Sequence, residues 1–244
     1  NMKDYKESHK EERIAKQYEE VVYKAGSYDD MLWQWEKKVL QKELAELEKE
    51  TPQVAYLDFG CGTGRILVFL ENSVQKAVGV DNAEAMLTRA RSYVKKAELV
   101  LADITQRDVL SGRLFDLITA FRIFLNSQPQ LREEILRVLV PKLRNEHSVF
   151  IFNIHGNLWS FRLFSKLWYW LWGRRLNTMT VRQVRRLAMR HGLAVAHWYG
   201  FGVMPKICYR LFGARCMFAV DSFLSWVPGM KYISYDLVFV CRQV

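Results

Sequence analysis

Apolar residues along this 244-residue chain change their period at Pro52. Before it, Leu32, Trp35, Val39, Leu44 and Leu47 recur at three- and four-residue intervals, which predicts an amphipathic helix. Ser27 and Asp30 form a capping box for its start, and Thr51-Pro52 ends it. An earlier charged stretch, Glu11 to Val22, favours a separate helix, with Ala25-Gly26-Ser27 between the two. After Pro52 come short apolar runs separated by polar helical stretches, the arrangement of repeated βαβ units. Strands are predicted over 54–59, 76–80, 97–102, 115–120 and 148–154, with crossover helices over 65–71, 84–93 and 130–140. Thr180 can cap a basic helix through Met189, His191-Gly192 closes it, and strands over 193–199 and 232–242 complete the pattern.

This pattern predicts an α/β fold built as one domain. Residues 1–50 form an N-terminal helical cap and 51–154 the cofactor-binding core. Two apolar, basic segments, 155–178 and 203–230, read as insertions expected to form a substrate lid. A hydrophobic content of 50% allows a substantial core. Cys61, Cys208, Cys216 and Cys241 show neither CxxC pairing nor histidine spacing, so a disulfide framework is not indicated and a reducing cytosol is the simplest compartment. The polar opening residues carry no signal-peptide pattern. The net charge of +10 is concentrated late in the chain. From His147 onward there are 13 Lys and Arg against Asp221 and Asp236 alone. Such asymmetry suits nucleic acid, an anionic membrane surface or a phosphorylated substrate, or is simply a solvated basic face.

The first βα turn carries the candidate chemistry. A strand ending at Asp58 runs into Gly60-Cys61-Gly62-Thr63-Gly64, where bare backbone can approach a ligand and helix amides point at it. Dinucleotide enzymes place a glycine-rich loop at the same point, although here the spacing is GxGxG. Asp81, ending the next strand, could accept two hydrogen bonds from a ribose diol, as acids do in both cofactor classes. Asp103, ending the third, could accept from an adenine amino group while Ile104 packs on the ring. Three successive strand ends thus converge on one adenosine.

The pieces YLDFGCGTGR, AVGVDNAEAML, ELVLADI, FDLITAFRIFLN and LRVLVPKLRNEHSVFIFNI resemble the class I S-adenosylmethionine-dependent methyltransferases over roughly residues 56–154. The resemblance implies a Rossmann-like fold: a mostly parallel seven-stranded sheet with an antiparallel last strand, helices on both faces and helical insertions. It implies an enzyme with S-adenosyl-L-methionine as cofactor. It also implies that the loop of Gly60, Cys61, Gly62 and Gly64, ordered by Asp58, approaches the amino-acid half, that Asp81 binds the ribose, that Asn82 is a further cofactor-binding residue, and that Met86, Asp103 and Ile104 lie on the adenine side. Backbone around Ala120 and Phe121 would meet the methionine ammonium, and Tyr23 or Tyr28 would close over the cofactor.

A sulfonium carries its own activation, so the protein's task is orientation and exclusion of water. An oxygen nucleophile would add the need for a base. His155 follows the fifth strand at the edge where the cofactor crevice opens and is the candidate base, the alternative being a loop histidine bonded to backbone. Arg122 and Asn157 are candidate substrate-orienting neighbours. The fourth strand lacks an Asn/Asp-Pro-Pro-aromatic signature, no Pro-Cys pair is present, and no acidic cluster follows the fifth strand, so no metal site is expected. Metal-independent O-methylation of a small or lipid-like acceptor leads; RNA methylation and N-methylation of a small molecule compete. The tryptophan-rich run 159–175 is too interrupted to span a bilayer. It suits packing or homo-oligomer contact, a substrate lid, or peripheral membrane contact of a cytoplasmic protein.

Overall fold

The structure, a computed structural model, describes residues 26–174 and 176–244. The stretch Glu11 to Val22 and the residue Tyr23 lie outside the described residues.

Helix α1 (Tyr28–Glu50) opens on Ser27, whose hydroxyl accepts from the Asp30 amide at 3.1 Å. The return bond of the capping box shifts outward: Asp30 Oδ2 accepts from Gly26 (2.9 Å), not from Ser27. Leu32, Trp35, Val39, Leu44 and Leu47 are all buried, as their period requires. The chain continues through β1 (Ala55–Phe59), α2 (Arg65–Leu70), β2 (Lys76–Asp81), α3 (Glu84–Tyr93), β3 (Glu98–Leu101), β4 (Leu117–Ala120), α4 (Pro129–Leu139) and β5 (Val149–His155). It closes with α5 (Arg162–Leu171), α6 (Val181–Arg190), β6 (Leu193–Phe201), α7 (Lys206–Phe212), α8 (Ala214–Trp226) and β7 (Asp236–Gln243).

The seven strands form one sheet in the order β3-β2-β1-β4-β5-β7-β6, and β7 runs antiparallel to both neighbours. The fold is thus the expected one, including the antiparallel last strand. Strand limits move where side chains replace the ladder. β4 starts at Leu117 because Phe115 bridges to Leu143, while the Asp116 carboxylate takes the Ala55 amide at 2.8 Å. β7 starts at Asp236 because Met230–Ile233 coils into a 3₁₀ turn.

Both sheet faces are covered, so the central strands are apolar on both sides. Along β5, Phe150, Phe152 and Ile154 enter one core with α4 and α6, while Val149 and Ile151 enter the other with α1, α2 and α3. The N-terminal helix is therefore a layer of the fold. Leu40 on α1 is fully buried, so Leu40→Ala should lower unfolding free energy by roughly 3 kcal/mol with an unchanged urea m-value, measured by denaturant titration.

Candidate active site

The chain winds outward in opposite directions from β1 and β4, and a parallel sheet leaves its crevice at that switch point. The cleft found there encloses about 1090 Å³ including its open mouth. Its walls come from the carboxyl ends of four strands: Asp58 and Phe59 at the end of β1, Asp81 and Asn82 at the end of β2, Asp103 and Thr105 after β3, and Phe121 and Arg122 after β4.

The glycine turn folds as its spacing requires. Gly62 has φ +55°, and no atom lies within 4 Å of where a Cβ would stand, so its backbone faces open space. Gly64 does something different. At φ +84° it is the cap of α2, and a Cβ there would meet Val94 Cγ2 at 2.7 Å, so it serves helix packing and does not line the cleft. Asp81 accepts from the Gly62 amide (2.8 Å) and the Ala83 amide (2.9 Å), which fixes its carboxylate at the rim. Asp103 is oriented by an Asx turn in which its Oδ1 accepts from the Thr105 amide and hydroxyl at 3.1 and 2.6 Å.

Asp58 is buried beneath the loop. Thr119 Oγ1 donates to its Oδ1 at 2.7 Å and lies 2.7 Å from the Tyr56 hydroxyl. Its Oδ2 is buried with no hydrogen-bond partner among the described residues. Burial pushes this carboxyl up to about 7, against the pull of the Thr119 bond and of the Arg65 charge.

Below Arg122 lies a polar network that the sequence reading did not single out. Glu36, on the buried face of α1, is fully enclosed. It accepts from Arg122 Nη2 at 3.1 Å and from Asn153 Nδ2 at 3.0 Å, and Arg65 Nη1 stands 3.5 Å away. Arg122 also pairs with Asp29 at 3.6 Å. Its φ of +63° is the only left-handed value at a non-glycine among the described residues, and its amide donates to Asn153 Oδ1 at 2.7 Å. Asn153 further donates to Asp236 Oδ1 at 3.0 Å. Burial and the neighbouring Glu36 charge push the Asp236 carboxyl well up. A signal for this network was visible: Glu36 interrupts the apolar stripe of α1 beside Trp35, and Asn153 interrupts an otherwise apolar strand.

Met86, Cys61, Gly60 and Phe121 line the cleft with the residues named above. Five further expected site residues fall outside its walls. Ile104 is 1% exposed and belongs to the core, Thr105 taking its place in the wall. Ala120 is fully buried within β4. Tyr28 does not close over the cleft. It packs edge-on against Tyr209 and Tyr235, with centroids 5.0 and 5.8 Å away, because α7 and the start of β7 offer it a larger aromatic seat. Asn157 is not free to orient a substrate, since its amide nitrogen donates to Tyr232 O (2.7 Å) and Ser234 O (3.0 Å) and so anchors the turn before β7. His155 sits at the carboxyl end of β5 opposite Asp236, outside the walls of the cleft itself, with its Nδ1 buried and unpartnered among the described residues.

The family model described as a methyltransferase domain matches residues 57–142. Carboxy-S-adenosyl-L-methionine synthases are among the curated relatives. The one from Campylobacter concisus is 32% identical over 154 residues, 58% of this chain and 63% of the relative; that from Sulfurimonas denitrificans is 30% identical over 152 residues, 57% and 63%. The chain thus spans less than two thirds of these relatives' length. Among solved structures, magnesium protoporphyrin IX methyltransferase from Synechocystis with bound SAH superposes at a TM-score of 0.62 with 13% identity, covering 96% of this chain and 99% of that one. An S-adenosylmethionine-dependent methyltransferase from Clostridium acetobutylicum gives 0.61 with 15% identity, covering 95% and 98%. These two likenesses are of fold.

The cleft fits S-adenosylmethionine. Gly62 leaves its backbone bare, the Asp81 carboxylate stands at the end of β2, and the unpaired Asp58 Oδ2 is a buried acceptor suited to an ammonium donor. Asp81→Ala should weaken binding of the cofactor and of its demethylated product at least about tenfold by calorimetry. An ammonium pairs well only with ionised Asp58, so affinity should climb by about tenfold per unit as pH rises toward 7 and level off above it. Asp58→Asn should flatten that profile. The same raised carboxyl contributes less stability as pH rises from its ordinary value of 3.8 to about 7, because the native state keeps a proton the unfolded chain has released.

Proposed function

We infer that this chain, which belongs to the class I S-adenosylmethionine-dependent methyltransferases, catalyses metal-independent O-methylation of a small or lipid-like acceptor with His155 as general base. The observation that carries this reading is the buried Nδ1 of His155, without a hydrogen-bond partner among the described residues, at the same sheet edge as the cleft. Bound S-adenosylmethionine supplies an activated methyl group. The chain's own contribution is to hold that cofactor through the loop, Asp58, Asp81 and Asp103, and to take a proton at the acceptor.

His155 suits that second task. Burial first, and then the charges of Arg122, Arg162 and Lys206, hold its imidazole well below the ordinary value, so it stands neutral at physiological pH with a lone pair to offer. A base weakened in this way still works if the acceptor hydroxyl is acidified too. The same three cations favour the developing oxyanion, which brings the two proton affinities together. Arg162 donates to the Tyr235 hydroxyl at 3.2 Å, and Lys206 lies 5.1 Å from the centre of the Tyr28 ring and 2.9 Å from Asp29, while Arg122 is held by Glu36 and Asp29.

A second reading follows from the relatives' name: formation of a carboxylated cofactor. Arg122 favours it, as a cation in the cleft wall able to meet a carboxylate. Glu36 and Asp29 weigh against it because they already engage that guanidinium.

The test is transfer of label from methyl-tritiated cofactor into an acceptor pool separated into lipid, small polar and RNA fractions. We expect label in the lipid or small-molecule fraction; label in RNA alone, or mass spectrometry finding a carboxylated cofactor on the purified protein, would overturn the reading. His155→Ala should lower kcat by about 10²- to 10⁴-fold with cofactor affinity unchanged, and unchanged turnover would remove it as base. Because the His155 pKa is lowered, its limb of the rate profile should stay flat through neutrality and fall only on acidification below the ordinary histidine range.

A further inference from the structure

The two apolar insertions leave the sheet at one edge. β6 and β5 are each antiparallel to β7 and therefore run in the same direction, so α5 after β5 and α7 after β6 both begin at the carboxyl edge where the cofactor cleft lies. They also share a seat. Phe161, just before α5, stacks on Tyr235 at 5.0 Å, Tyr235 meets Tyr28, and Tyr28 meets Tyr209 of α7, whose hydroxyl donates to Asp221 of α8.

Above that seat α7 and α8 pack inward through Tyr209, Met217 and Phe218 and turn other large apolar side chains outward. None of the ten residues of α5 is buried. Phe164 is 76% exposed, Trp170 70% and Trp172 68%; on the companion insertion Phe212 is 64%, Phe223 70% and Trp226 86% exposed. Monomeric proteins seldom leave such large apolar side chains clustered in water. The charge around them is of one sign. The insertions 155–178 and 203–230, with Lys231 just after, hold eight Lys and Arg and a single acid, Asp221, and that acid is buried, accepting from the Val203 and Met204 amides. Lys166, Arg210, Arg215 and Lys231 are exposed among the aromatics. No helix among the described residues is long and apolar enough to cross a membrane.

We propose that this crown of α5, α7 and α8 docks on an anionic lipid bilayer, with its tryptophans and phenylalanines in the headgroup boundary and its lysines and arginines on lipid phosphates. The observation that selects a bilayer over a protein partner is the combination of bulky aromatics with cations and no exposed acid, which matches a negatively charged apolar boundary. In that pose the cleft's edge faces the membrane. Docking does not depend on what is methylated, and it is measured without turnover.

The experiment is flotation of the full chain, loaded with the demethylated cofactor, with phosphatidylcholine vesicles and with vesicles containing about one third phosphatidylglycerol. We expect the protein to float with the anionic vesicles, its tryptophan emission to shift to the blue, and binding to weaken with salt. Combined Phe164→Ser, Trp170→Ser and Trp226→Ser should reduce partitioning roughly tenfold or more while leaving binding of the demethylated cofactor intact, which certifies the fold. Wild-type protein that stays at the bottom of the gradient with anionic vesicles at low salt overturns the proposal. So does a stable dimer in solution that the triple variant abolishes, because the face would then be covered by a second copy.

Discussion

The contact on which the site depends is the buried carboxylate of Glu36. It reaches across from α1 to the Arg122 guanidinium after β4 and to the Asn153 amide within β5, tying the first described helix to the strand end that lines the cleft and to the strand beside it. A lone carboxylate in such a place would cost several kcal/mol, and its desolvation is offset only because two arginines and an asparagine amide converge on it. The arrangement is specific more than it is stabilising. Arg122 adopts a left-handed backbone that an L-residue disfavours by about 1–2 kcal/mol, and the Asn153 acceptor for its amide helps hold it there. α1, the backbone after β4 and the centre of β5 therefore keep their positions together.

From this the division of labour along the sheet edge follows. β1, β2 and β3 present three acids, each fixed differently: Asp58 by burial against Thr119, Asp81 by two loop amides, and Asp103 by its own turn. β5, β6 and β7 present His155, Tyr235 and the roots of the insertions, where positive charge dominates. Arg122 stands between the two halves. Its charge faces Glu36 and Asp29 on one side and depresses His155 on the other, so a change at α1 would be felt by the proposed base through the one guanidinium they share.

The sheet was legible because both of its faces are covered, which makes the central strands continuous apolar runs between helices of a different period. The limits of β4 and β7 were not, because they depend on long-range pairings of Phe115 with Leu143 and on a 3₁₀ turn. The glycine loop and its acids were legible for a local reason: a backbone that must turn with positive φ beside a ligand admits few residues. Tyr28 was misread since a tyrosine ahead of a helix carries no local mark of what it will meet; its partners, Tyr209 and Tyr235, are about two hundred residues away. Asn157 was misread for the same reason, its donors being consumed by carbonyls of the turn before β7.

Glu36 and the aromatic crown are opposite violations of one rule, an acid in an apolar stripe and an apolar stripe in water. An acid inside an apolar helical stripe found partners within the chain, so its charge is explained by the fold. A run of tryptophan and phenylalanine on an outer helix found no core to enter among the described residues, and the side chains that would have solvated it with mixed charge are all of one sign. Packing removed the first anomaly and left the second. The same helices that keep their aromatic bases on Tyr28 and Tyr235 turn their outer faces away from the cores formed by the described residues, so the apolar surface is built in place by a seat of packed rings and not left over from incomplete folding. That surface stands at the carboxyl edge of the sheet, beside the cleft, and is left open by every core among the described residues.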